Sequence, residues 1–150
     1  MKYITWKIVR KVTDDVFASS DVSGDNELSY RLRKTTATGN FTPIFVYFDK
    51  DAAQYSYGFY TPSLNKEYFL LEGYSTQRPI RINTLTERLY WPSMDMAKMT
   101  RAEIIDFWKA CQVGSPPLIP DWQNTLIVHP DMWGVPNFTP ERIVDIREEW

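Results

Sequence analysis

At Trp91-Pro92 the hydrophobic rhythm of this chain changes from a repeat of two to a repeat near three and a half, and that change limits the fold more than any other feature. Alternation suits strands with one face on a core, whereas apolar residues at i, i+4 and i+7 suit an amphipathic helix. A strand-rich part over residues 1–91, followed by a helical and Pro/Trp-rich part over 92–150, reads as one α+β domain covering residues 1–150.

In the first part, Ile4, Trp6 and Ile8 alternate with Thr5 and Lys7, and the β-branched content favours strand over helix. A polar loop from Asp14 to Asn26 follows. Leu28, Tyr30 and Leu32 then alternate with Ser29, Arg31 and Arg33, the pattern of a strand wet on one side. Ile44 to Phe48 is an unbroken apolar run that suits a central strand covered on both faces, and Asp49-Lys50-Asp51 ends it. Tyr55, Tyr57 and Phe59 recur at period two, and Glu67 to Tyr74 and Ile80 to Asn83 complete about six strands within residues 2–84. The connections are short, so the pairing is expected to be antiparallel.

In the second part, Thr100-Arg101-Ala102-Glu103 is a capping box, with Met99 and Ile104 as its hydrophobic staple. Ile104, Trp108 and Cys111 line one face, which predicts a helix over 101–112. Thr139-Pro140, flanked by Phe138 and Ile143, predicts a second helix over 140–150. Between them, Val113 to Phe138 holds five prolines together with Trp122 and Trp133. The expected architecture is an antiparallel sheet with both helices packed on it and this Pro/Trp-rich segment joining them.

Chemistry-bearing motifs are sparse. Asp21, Ser23 and Asp25 sit at ligand-like alternate positions, but an EF-hand loop needs Gly where Asn26 stands and Glu where Leu32 stands. His129 is the sole histidine and Cys111 the sole cysteine, so one chain cannot assemble a multi-His or multi-Cys metal site or an internal disulfide. No phosphate-cradling glycine motif and no Gly-x-Ser-x-Gly elbow occurs. The order Arg31, Ser75, Thr76, Glu87 resembles the ADP-ribosyltransferase arrangement, yet no paired-carboxylate motif accompanies Glu87. The expectation is therefore no cofactor, no metal and no catalytic residue.

Aromatic residues make up 15% of the chain, six of them Trp, and this is the compositional outlier. Tyr55, Tyr57 and Phe59, together with Arg31 and Arg33 on a wet strand face, are the candidate binding residues, because such side chains anchor protein partners and can stack bases. The competing view is that the three aromatics are core. Residues 1–91 carry 12 basic and 10 acidic groups (+2), residues 92–150 carry 5 and 9 (−4), a balance that disfavours nucleic acid as partner. No apolar run is long enough for a membrane span and no secretory leader is evident, so a cytoplasmic setting is expected.

The function that fits this pattern is a non-catalytic interaction protein working through protein–protein contacts, self-association included. A compact domain of this kind would also suit a virus-encoded accessory or structural protein. The alternatives are a small-molecule or nucleotide binder, or a small enzyme, using Arg and Tyr side chains, and after that a single-stranded nucleic-acid binder.

Overall fold

The architecture comes from a computed structural model that describes residues 1–19, 27–38, 43–58, 67–81, 101–112 and 132–144. It contains β1 (Tyr3–Lys11), β2 (Phe17–Ser19), β3 (Ser29–Tyr30), β4 (Thr36–Ala37), β5 (Ile44–Tyr47), α1 (Lys50–Tyr57), β6 (Tyr68–Ser75), β7 (Ile80–Arg81), α2 (Arg101–Gln112), β8 (Met132–Val135) and β9 (Asn137–Ile143). All strand pairings among the described residues are antiparallel, as the short connections imply.

The longest ladder joins β1 to β6 from Tyr3↔Ser75 to Arg10↔Tyr68. On its other side β1 is shared: β5 meets it at Trp6↔Tyr47, and β2 takes over from Val9↔Ser19 to Lys11↔Phe17. At the fork between them, Lys7 Nζ donates to the Phe45 carbonyl at 2.7 Å. The sheet also curls back on itself. β2 pairs with β3, β9 pairs with both β4 and β6, and the link from β3 to β4 is tied down where Arg33 N–H donates to Pro140 O at 2.6 Å. The strands run in the order β3-β2-β1-β6-β9-β4, their two ends joined by the β3–β4 link rather than by a strand pairing, with β5, β8 and β7 extending from β1 as an arm.

Among the described residues, two buried clusters stand out in this arrangement. Inside the curl, Val9, Phe17, Tyr30, Ile44, Val46, Leu71, Val135 and Phe138 are buried together, and Tyr30 meets Phe138 edge to face with centroids 6.1 Å apart. On the outer face, Ile8, Tyr47, Leu70 and Val144 pack under Ala53 of α1. Both faces of β1 are thus covered over much of its length, and Lys7, expected on a polar face, is only 6% exposed.

Tyr30 is expected from its alternation to face inward, and it does. Its hydroxyl has no partner of hydrogen-bonding geometry, and burial pushes the phenol far above its ordinary value of 10.0, with the Ser19 side chain offsetting this only in part. A raised folded-state value means that the neutral phenol supports the fold fully below about pH 10, and that this support is lost as pH climbs past the unfolded value. Tyr30→Phe should therefore unfold within about 1 kcal/mol of wild type at neutral pH, since no hydrogen bond is lost. It should lose stability less steeply above pH 10. Chemical denaturation across alkaline pH reads both effects, and a strongly destabilised variant at neutral pH would contradict the unpartnered hydroxyl.

Several expectations are corrected. The segment with Tyr55 and Tyr57 is helix α1, not strand: Asp49 Oδ1 caps it by accepting from Asp51 N–H at 2.9 Å, and Ala53 with Tyr57, one turn apart, provides its packing face. The second helix over 140–150 is not formed at its start, since Asn137–Ile143 is strand β9, and β8 also lies in the part read as helical. Pro140 suits that strand because a β-bulge falls there, where the missing N–H costs no ladder bond. Phe138 and Ile143 do not meet as a staple: Phe138 is wholly buried and Ile143 is 40% exposed. Residues 145–150 lie outside the described residues.

The polar loop is also interrupted. Thr13 Oγ1 accepts from the N–H groups of Asp15 and Val16, closing a tight turn into the buried strand β2. Finally, the Leu28–Leu32 strand is paired only at Ser29–Tyr30, because the chain turns at Arg33, whose φ of 61° ends extended structure. The helix over 101–112 stands where expected, with Trp108 fully buried. Its cap at Thr100 and the side chains of Ile104 and Cys111 lie outside the described residues.

Candidate functional site

Alternation along β1 and the residue before it places Lys2, Ile4 and Trp6 on the same outer face as Ile8, where α1 covers Ile8 and Leu70 and Trp6 packs partly against that cluster. Cross-strand pairing sets Tyr74 beside Ile4 and Glu72 beside Trp6, and Arg142 of β9 sits beside Glu72. The result is a row of Lys2, Ile4 and Trp6 flanked by Tyr74, Glu72 and Arg142.

Their polar groups interlock. Trp6 Nε1 donates to Glu72 Oε1 at 3.1 Å, and Arg142 donates through Nε to Glu72 Oε2 at 2.9 Å and through Nη2 to Oε1 at 3.4 Å. The Glu72 carboxylate is thereby shared between an indole and a guanidinium presented in fork geometry. With the Glu72 and Arg142 side chains 25% and 44% exposed, the ion pair contributes at most about 1 kcal/mol to stability. Its larger effect is to hold Trp6 and Arg142 in fixed orientations. At the other end, Lys2 Nζ lies 4.2 Å from the centre of the Tyr74 ring, a cation–π contact that orients both groups. Ile4, between these two contacts, is 43% exposed.

The residues proposed from sequence are placed differently. Arg31 and Arg33 are exposed on the link between β3 and β4. Tyr55 is 67% exposed on α1. Tyr57, on the same helix, is half-buried and donates its hydroxyl to the Tyr68 carbonyl at 2.5 Å, and burial raises its phenol above the ordinary value. Tyr57 therefore holds α1 to β6. Phe59 lies outside the described residues. Among the described residues, neither Arg31 nor Arg33 lies over an aromatic ring.

Of the enzyme-like order, Ser75 and Thr76 are held in a hydrogen-bonded tie between strands. Ser75 is fully buried, its hydroxyl donating to Asn137 Oδ1 at 3.2 Å and accepting from Gln77 N–H. Asn137 also accepts from Thr76 N–H and donates to Thr76 Oγ1, so these residues tie the end of β6 to β9. Glu87 and His129 lie outside the described residues. Among the described residues no group of three His, Cys, Asp or Glu side chains could hold a metal ion, and no helix is long and apolar enough to cross a membrane.

Trp6, Glu72, Tyr74 and Arg142 were not selected by sequence reasoning. Trp6 and Glu72 are 66 positions apart, Glu72 and Arg142 70 apart, and strand pairing alone unites them. The one local signal is Glu72, a carboxylate set inside the otherwise apolar and aromatic run Tyr68–Tyr74. Comparison with protein-family models, with curated proteins and with solved structures gives no match, so the chemistry of this face is the basis on which the protein's role is read.

Proposed function

We propose that this is a non-catalytic interaction protein that binds a protein partner through the outer sheet face of Lys2, Ile4, Trp6, Tyr74 and Arg142. The observation that carries this reading is the Trp6–Glu72–Arg142 network, which fixes an indole and a guanidinium on a sheet face that α1 leaves partly open. Trp, Tyr and Arg are the side chains that most often dominate binding energy at protein interfaces. Holding them in place beforehand lowers the entropy lost on association. Exposed Ile4 between them adds apolar surface of the kind that interface centres bury.

The test uses the whole chain as bait, with Ile4→Glu as the surface variant and Arg142→Ala as the network variant. Crosslinking and affinity capture should recover a discrete protein, or a second copy of this chain, with wild type. Recovery should fall about tenfold or more with Ile4→Glu, since a charge is placed at the centre of the contact. Melting curves establish that both variants fold. Capture by folded Ile4→Glu equal to wild type would remove this face as the binding surface.

A further inference from the structure

From the charge layout of the same face, and resting on the reading above, we infer that its partner is an acidic polypeptide segment in which carboxylates adjoin apolar side chains. The chain carries a net charge of −2, yet among the described residues this face has two cations, Lys2 and Arg142, against one carboxylate, Glu72. Both oxygens of Glu72 are already engaged, by Trp6 Nε1 and by Nε and Nη2 of Arg142. A basic partner would therefore find the Glu72 carboxylate occupied and would meet the Lys2 ammonium as a like charge.

Lys2 is the opposite case. Its ammonium rests over the Tyr74 ring and meets no carboxylate among the described residues. A cation–π contact leaves N–H groups of an ammonium able to donate to a carboxylate as well. Lys2, Ile4 and Trp6 follow one another at every second position of an extended chain, roughly 7 Å apart. A segment that laid an apolar side chain on the Ile4–Tyr74 row would thus bring a neighbouring carboxylate to Lys2. Single-stranded nucleic acid matches less well, because its affinity comes from many phosphate contacts and the row offers two cations, one of them already bridged.

The probe is a displayed library of random short peptides, panned on the intact protein and on its Lys2→Glu and Ile4→Glu variants, with fluorescein-labelled oligo(dT) titrated in parallel at physiological salt. Wild type should select peptides enriched in Asp and Glu next to aliphatic or aromatic residues. A synthetic peptide from that set should bind Lys2→Glu about tenfold more weakly, the effect of about 1.4 kcal/mol. Ile4-dependent selection of neutral or basic peptides would overturn the acidic partner while leaving the face in place. Selection insensitive to Ile4→Glu, or no selection, would overturn both. Tight oligo(dT) binding lost in Lys2→Glu would replace the polypeptide with nucleic acid.

Discussion

Gly73→Ala is expected to destabilise the fold by about 3 kcal/mol, at the upper end of what overpacking costs. A Cβ at Gly73 would stand 2.2 Å from the Thr139 carbonyl oxygen, 2.7 Å from Pro140 Cα and 2.8 Å from Thr139 C. All three are backbone atoms, so no side-chain rotation can make room. β9 would have to draw away from β6 at the bulge between Glu72 and Gly73, where the pairing passes from Glu72↔Arg142 to Gly73↔Pro140. That movement would loosen the strand that carries Phe138 into the inner core and Arg142 onto the outer face. For a domain of this size the loss corresponds to a melting temperature lower by roughly 10 °C. Urea denaturation provides the measurement, and a midpoint equal to wild type would mean that β9 does not approach β6 this closely.

Lys7→Met should cost about 2 kcal/mol although it replaces a buried charge with an apolar side chain of similar length. Removing a buried ammonium saves its desolvation, which argues for a gain in stability. Against this, Phe45 lies where β5 has left β1, and its carbonyl accepts from Lys7 Nζ at 2.7 Å. Methionine cannot donate. The carbonyl would stay behind in a dry fork, and a buried acceptor stripped of its donor costs about 1–3 kcal/mol. Lys7 also lies 5.4 Å from the centre of the buried Tyr30 ring, a second contact that methionine would replace only by packing. Equal or greater stability of Lys7→Met in denaturant would show that the fork does not depend on the ammonium.

The elements legible in the sequence are those whose local pattern and tertiary role agree. Ile44 to Tyr47 is apolar without a break and is buried on both faces, and Tyr68 to Ser75 combines strand propensity with a long partner. The helix over Arg101–Gln112 follows its periodic face. Misreadings arose where one local pattern serves two structures. Tyr55 and Tyr57 alternate like strand residues, but Asp49 caps a helix and Ala52-Ala53-Gln54 favours it, which turns Tyr55 outward and Tyr57 toward β6. Thr139-Pro140 has the look of a helix start, and the same fixed proline geometry fits a bulged strand once β6 lies alongside.

The candidate face was the least legible part. Its residues lie in segments with no local pattern in common: Trp6 in the first strand, Glu72 inside an apolar and aromatic run, and Arg142 two residues after Pro140. By itself, the order of residues determined that this chain builds an antiparallel sheet and a helix that carries Trp108, because hydrophobic periodicity and turn chemistry act over a few neighbouring positions. Only the tertiary structure decided that the sheet curls until the link from β3 to β4 meets Pro140, that Lys7 goes inward to serve Phe45, and that Trp6, Glu72 and Arg142 share one hydrogen-bonded row. The physical reason is that strand register joins residues with no local pattern in common, and the cost of an unpaired buried polar group then selects where each side chain points.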